Sequence, residues 1–380
     1  MKKIISLTLV LFIVSSICLT SCIEWPFNGK DNDKAKDITH THKDSQPGTY
    51  GLHIYSNLDV LKSSNNNNGI LAIKEFRQSL SLALDRADMT EKIWPSTSSP
   101  CLGLIDSTYY YDTYSATTPE EYDFAFKYRD TAEAKSTILE AYGIVWRGDG
   151  LYIGDDLVGY SLDEACDAFT GYNLTLAKEK LDIAITELTN NANFYGYDSN
   201  KNIILICGAS ANNVWERSRI DYIENTLNTL TKGSSLEGKI KIIFDASAGD
   251  NWANAFRLGE TQIVFDNGFR YDPLNPYEVL GAFVDLDNEA NLHKYWDTFA
   301  IEMTLTLPYD ELVEGAGQTI TMSIQNWYYC LVGLAADKNQ PCQYNWSYEF
   351  APIPVRLKIL AALEKLVLEE SRTIILVENS

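Results

Sequence analysis

The chain has 380 residues, 45% of them hydrophobic, which suffices for one large or two small domains. Its 52 acidic residues against 31 basic ones give a net charge of -21. A surface that negative repels phosphate backbones and argues against nucleic acid as a partner, while leaving room for an anionic ligand in a local basic pocket.

Met1, Lys2 and Lys3 supply a positive start, and residues 4–17 are apolar apart from a few hydroxyl side chains. That run is too short for a comfortable membrane span and suits a signal peptide. It leads into Leu19-Thr20-Ser21-Cys22, which resembles the bacterial lipobox. The resemblance implies cleavage before Cys22 and a diacylglycerol on its sulfur; an ordinary signal with a chance cysteine is the alternative. Residues 1–21 are thus expected to be a lipoprotein signal peptide, 22–50 a polar tether and 51–380 the folded body. Two acyl chains would hold the body at the outer face of a bacterial cell membrane. His40 and His42 in the tether have no carboxylate geometry around them and are read as inert.

Cys18 leaves with the signal, and Cys101, Cys166, Cys207, Cys330 and Cys342 remain. Their odd number and wide scatter argue against a disulfide scaffold, although Cys330 and Cys342 stand close enough to pair across a loop in an oxidising setting. The absence of CxxC argues against structural zinc, and no metal or cofactor is expected.

In chain order, "TYGLHIYSNL" (49–58) reads as a strand entering the body, and "SSNNNNG" (63–69) as a loop. A helix is expected over 70–88, with Phe76, Leu80, Ala83 and Leu84 on one face. The tyrosine-rich stretch 107–128 looks irregular. "TAEAKSTILEAYG" (131–143) reads as a helix closed by Gly143. Over 171–188, Leu174, Ala177, Leu181, Ala184, Ile185 and Leu188 make a continuous helical stripe behind Asn173 as N-cap. The period then changes. Strands are expected at 202–208, 239–247 and 261–269, with a helix over 212–233 whose apolar face is Ile220, Ile223, Leu227 and Leu230. Strand, helix and strand form a βαβ unit with parallel pairing. A long helix over 355–372 follows Pro352 and Pro354, and "TIILV" (373–377) is a last strand. The class is α/β. The loops after the strands, at 208–212 and 265–276, are where ligand groups gather in such sheets.

Catalytic signatures are missing: no HExxH, no GxSxG and no P-loop occur, and "GDGLYIG" (148–154) lacks dinucleotide spacing. Outside the tether only His53 and His293 remain, read as surface or satisfied structural histidines. Carboxylate groups such as Asp285, Asp287 and Glu289 are abundant, but a glycosidase pair is a matter of separation across a cleft. No enzymatic activity is expected.

Several segments, taken in order, resemble extracellular solute-binding proteins of family 5, the oligopeptide- and dipeptide-type receptors of ABC importers. "FRQSLSLALDRADMTEKIW" is similar to that family's arginine, helix and aspartate-arginine pair. "TAEAKSTILEAYG" and "GYNLTLAKEKLDIAITEL" resemble its AK-containing helices. "GDNWANAFRLGETQIVFDNGFRYDPLNPYEVLGAF" resembles its run from a tryptophan to an aromatic segment and a DP pair, and "RLKILAALEKLVLEESRTIIL" its late helix and strand. The likeness covers about residues 50–377. It implies a lobe of a class II periplasmic-binding-protein-like fold, with a mixed sheet and flanking helices. In the family the first of these segments sits mid-chain and the chain continues past the last, so the expectation is one lobe of a two-lobed clamp, lacking much of its partner lobe.

The implied function is the substrate-binding component of an ABC-type importer, with a peptide ligand, a membrane permease and a companion chain supplying the other lobe as partners. One overlay puts Asp272 where oligopeptide receptors bind the peptide's terminal amine, a sensible charge-assisted pair. Another makes Asp272-Pro273 the DP pair itself, leaving Asp272 a turn residue. Phe269, Tyr271 and Trp252 are candidate lining residues, with core packing the competing role. The alternative functions are a truncated derivative that transports nothing, and a surface carbohydrate-binding or hydrolytic lipoprotein.

Overall fold

The computed structural model describes residues 48–94, 98–105, 107, 110–111, 126–147, 150–152, 159–266, 276–334, 342–347 and 350–379. The signal, Cys22, most of the tether, most of the tyrosine-rich stretch, and Phe269, Tyr271 and Asp272 lie outside the described residues.

Strand β1 (Gly48–Ile54) opens the body, three residues inside the stretch assigned to the tether. Helix α1 (Leu58–Ser63) follows under the side-chain cap of Asn57. A 3-10 turn (Gly69–Ala72) then leads to α2 (Lys74–Ala83) and α3 (Arg86–Ile93). The single helix expected over 70–88 is therefore broken. Leu84 and Asp85 are extended, and the Asp85 carboxylate accepts the Asp88 N–H at 3.0 Å. A short acidic side chain that satisfies an orphan N–H starts a new helix instead of continuing the old one. The face itself is as expected: Phe76, Leu80, Ala83 and Leu84 are all buried.

Next come β2 (Ser98–Pro100), the short pair β3 (Tyr110–Tyr111) and β4 (Phe126–Lys127), and α4 (Ala132–Ala141). A small hairpin of β5 (Val145–Arg147) and β6 (Gly150–Tyr152) precedes α5 (Leu162–Ala168), which opens on a capping box between Ser161 and Glu164. Helix α6 (Leu174–Asn190) starts at Asn173, whose side chain accepts the Leu176 N–H, and buries Ala177, Leu181, Ala184 and Leu188. After the short α7 (Ala192–Tyr195), the expected βαβ unit is β7 (Ile203–Gly208), α8 (Val214–Thr231) and β8 (Ile240–Asp245), with β7 and β8 parallel. Then follow α9 (Trp252–Arg257), β9 (Ile263–Asp266), α10 (Pro276–Val284), a hairpin of β10 (Glu302–Thr306) and β11 (Thr319–Ser323), α11 (Ile324–Val332), α12 (Ile353–Glu370) and β12 (Thr373–Asn379).

Among the described residues the main sheet has six strands in the order β2-β12-β1-β9-β7-β8. It is mixed: β7 pairs parallel with β8 and β9, whereas β9, β1, β12 and β2 pair antiparallel. Alternation along the strands sends side chains to opposite faces. Leu52, Ile54, Ile374 and Leu376 join one core with residues of α2, α3, α6 and α8. Ile375 joins a second core with α10, α11 and α12, where Trp327 and Trp346 stack at 5.2 Å. The architecture is thus a mixed α/β sheet with helices on both faces.

Three charged side chains tie these layers together. Arg77 and Arg86, from the "FRQSLSLALDR" segment, are each 1% exposed. Arg77 donates to the Leu71 and Glu370 carbonyls and to the Glu370 carboxylate. Arg86 donates from Nε to the Ile375 carbonyl at 2.7 Å, and from its terminal nitrogens to Ser81 and the Tyr142 hydroxyl. Glu364 is fully buried on α12. It accepts from the Leu104 and Ile105 N–H groups, the Tyr128 hydroxyl and Arg129. The arginines that carry the sequence resemblance are structural staples, whose donors satisfy carbonyls that burial would otherwise leave unpaired.

Candidate functional site at the strand ends

Register decides which loops share an edge. Gly48 lies opposite Asn379 and His53 opposite Thr373, so β1 starts where β12 ends. Asp266 lies opposite Gly51, and Gly208 lies beside both Val264 and Asp245. One edge of the sheet therefore carries the start of β1, the end of β12 and the C-terminal ends of β7, β8 and β9. Loops at the carboxyl ends of parallel strands are the ordinary ligand positions of open α/β sheets.

After β7, Asn213 caps α8 by accepting the Glu216 N–H at 2.9 Å. The helix opens with Val214 and Trp215, which are 77% and 58% exposed although both are large and apolar. Arg217 lies 4.8 Å over the Phe244 ring and donates to Asn212. Arg219 lies 4.8 Å from the Trp94 ring, with Tyr50 and Phe265 also beside it, and pairs with Glu216 at 3.2 Å. After β8, the Asp245 carboxyl is held below its ordinary pKa by the hydrogen bonds from Ser247. Guanidinium groups on aromatic faces, next to an exposed indole, can stack on and pair with a polar organic ligand.

Of the residues singled out in the sequence, Trp252 is described. It heads α9, beyond the turn after β8, and is half-buried against the first core. Core packing is thus part of its role. Phe269, Tyr271 and Asp272 follow β9 in the sequence and lie outside the described residues. Trp215, Arg217 and Arg219 were not anticipated. The available signal was the "VWERSR" start of α8, where apolar residues stand ahead of the helix's buried register at Ile220, Ile223, Leu227 and Leu230.

The two histidines meet at the opposite end of β1. His53 Nδ1 lies 3.2 Å from His293 Nε2, and the Thr373 hydroxyl reaches both rings. His293 Nδ1 meets the Tyr295 hydroxyl at 2.9 Å. Both rings are buried. Burial pushes His53 down to about 3 and His293 well below the ordinary histidine value. They form a neutral structural pair and are not surface groups. Among the described residues no group of three or more His, Cys, Asp or Glu is placed to hold a metal.

Cys330 and Cys342 form no disulfide; their thiols lie within hydrogen-bonding reach of each other, and Cys342 Sγ also donates to the Leu334 carbonyl. No described helix is long and apolar enough to cross a membrane.

No family model and no curated protein matches the chain. Solved structures do. A peptide-binding protein of a peptide ABC transporter is similar at 12% identity and a TM-score of 0.48, covering 88% of this chain and 100% of its own. Listeria monocytogenes OppA bound to peptide is similar at 12% identity and a TM-score of 0.48, covering 90% of this chain. The substrate-binding domain of an oligopeptide ABC transporter from Bacillus anthracis is similar at 12% identity and a TM-score of 0.46, again over 90% of this chain. The chain spans about half the length of the last two, 46% and 47% respectively. At these identities the likeness concerns the fold alone.

Proposed function

We propose that this chain is the solute-binding component of an ABC-type importer, that its ligand is a peptide, and that Cys22 anchors it by lipid to the outer face of the membrane. Two things support the reading: the ordered sequence resemblance over about residues 50–377, and the strand-end edge. The edge is the observation that carries it. It gathers the ends of three parallel strands, two stacked arginines and an exposed tryptophan, with Trp252 heading α9 beyond the turn after β8. Such an edge is one bank of a cleft. A second body, in this polypeptide or another, closes the other bank and takes ligand surface out of water, and the permease receives the loaded pair. Asp272 is the proposed partner of the peptide's amino group, with Phe269, Tyr271 and Trp252 as lining residues.

A thermal-shift titration of the purified chain against short peptides tests this, run with and without the companion body. Binding raises the unfolding midpoint by mass action, by about 2.7 kcal/mol of stability at a ligand concentration of 100 times Kd. Asp272→Asn should weaken the response to peptides with a free amino terminus and spare amino-acetylated ones. Absence of any peptide response under both conditions overturns the proposal.

A further inference from the structure

Strand β8 (Ile240–Asp245) ends the main sheet: among the described residues it pairs with β7 and with no other strand. The Lys239 and Asp245 carbonyls accept from the Ile203 and Ala209 N–H groups of the β7 side at 2.9 and 3.0 Å. By alternation the odd-numbered residues of β8 bond inward to β7, and the backbone N–H and C=O groups of Ile240, Ile242 and Phe244 turn outward. A row of outward backbone groups on an edge strand is a template for another strand.

The side chains say which strand fits. On one face Ile240, Ile242 and Phe244 lie in or against the first core. On the other stand Lys241, Ile243 and Asp245. Ile243 is 49% exposed and lies beside Ile206, which with Ile204 is half-buried and joins neither core. Parallel strands are normally covered on both faces, so this apolar strip lacks cover. Asp245 accepts from Ser247, and neither Lys241 nor Asp245 is ion-paired among the described residues. Laid antiparallel against a second copy about Ile243, this face complements itself. Lys241 meets the partner's Asp245, Ile243 meets the partner's Ile243, and Asp245 meets the partner's Lys241. Opposite charges and apolar side chains are favourable cross-strand pairs. In the same register Ile242 meets the partner's Phe244. Both turn their backbone groups outward, so they exchange hydrogen bonds, and the Ile243 pair on the axis is the closer, non-bonded kind. Centring the axis on Ile242 would instead set the Lys241 ammonium against the partner's Ile243.

We infer that β8 is an interface with a second copy of this chain, in which two β8 strands pair antiparallel about Ile243 and join the two six-stranded sheets into one. The pairing uses the same patch on both copies, so it consumes both edges and closes at a dimer. Antiparallel pairing sends the two strand-end edges to opposite ends of the joined sheet. The inference is independent of the peptide-binding reading, because it rests on the register and side chains of β8 and needs no ligand.

Sedimentation velocity of the purified full chain, from low to high micromolar, should show a monomer–dimer equilibrium. Lys241→Asp sets two carboxylates opposite each other at both ends of the seam and should weaken dimerisation about tenfold or more. Adding Asp245→Lys restores opposite signs across the axis and should return the dissociation constant to within about threefold of its starting value. Ile243→Lys, at a half-exposed position that spares the core, places two ammonium groups on the axis and should abolish the dimer. Circular dichroism checks that each variant is folded. A chain that stays monomeric over this range, or forms species larger than a dimer, would overturn the interface. So would a dimer that Ile243→Lys leaves intact. No loss on Lys241→Asp, or a loss that the double variant does not recover, would overturn the antiparallel register.

Discussion

Replacing Glu364 by alanine removes the acceptor that joins three separate segments. In the folded chain this carboxylate is fully buried and receives the Leu104 N–H at 2.9 Å, the Ile105 N–H at 3.3 Å, the Tyr128 hydroxyl at 2.8 Å and the Arg129 guanidinium. Its removal strands a mostly buried cation along with two backbone donors. Breaking one side of a buried ion pair costs about 3–5 kcal/mol. The orphaned backbone groups would each add about 1–3 kcal/mol if nothing relaxed. The 101–105 stretch follows the edge strand β2 and can open to water, so the ion-pair term sets the scale and a loss of about 4 kcal/mol is expected. Glu364→Gln keeps one acceptor oxygen but still removes the charge facing Arg129, so it should lose less than Glu364→Ala while keeping most of the ion-pair loss. Urea unfolding of the three proteins, read by tryptophan fluorescence at pH 7, gives the differences from midpoint and slope. A loss below about 1 kcal/mol for Glu364→Ala, on the scale of an exposed pair, would refute the buried-staple reasoning.

Two further expectations concern stability. His53, pushed down to about 3, and His293, also well below its ordinary value, are neutral when folded, whereas the unfolded rings take up protons near pH 6.5. The unfolded state therefore binds more protons below pH 6.5, so this contribution to stability is complete above that pH and is lost progressively as pH falls through the histidine range toward 3. Between pH 7.5 and 5 each ring should cost about 2 kcal/mol; a flat urea midpoint over that range, or a resonance assigned to His53 or His293 that titrates near pH 6 in the folded chain, would contradict it. Arg86→Met should cost about 3 kcal/mol by orphaning the Ile375 carbonyl and the Ser81 and Tyr142 oxygens. Arg86→Lys should recover less than half of that loss, because a single ammonium cannot span acceptors arranged for a fork; full recovery in calorimetry would show that charge alone matters there.

Much of the secondary structure was legible in the residues. The α6 stripe and its Asn173 cap, the βαβ unit around α8 and the last helix and strand follow from apolar periodicity and short polar caps, which are local properties. The break between α2 and α3 was local too, written in Asp85, but a continuous apolar face hid it. The hairpin of β10 and β11 escaped for a different reason. Its outer face is polar, with Thr304 and Thr306 bonded across to Thr321 and Thr319, so it presents little hydrophobic alternation. Helices α10 and α11 are short and almost wholly buried.

What the sequence by itself determined was the class of fold and the positions of caps and cores. Those depend on neighbours within a turn or two of the chain. Only the tertiary structure decided that Arg77 and Arg86 are buried staples, that His53 and His293, 240 residues apart, share one hydrogen bond, and that Trp215 and Arg219 share an edge with the strand ends. It also put β8 at one end of the described sheet. These facts rest on strand order and register, which pair residues hundreds of positions apart, and no local pattern encodes which strand will lie beside which.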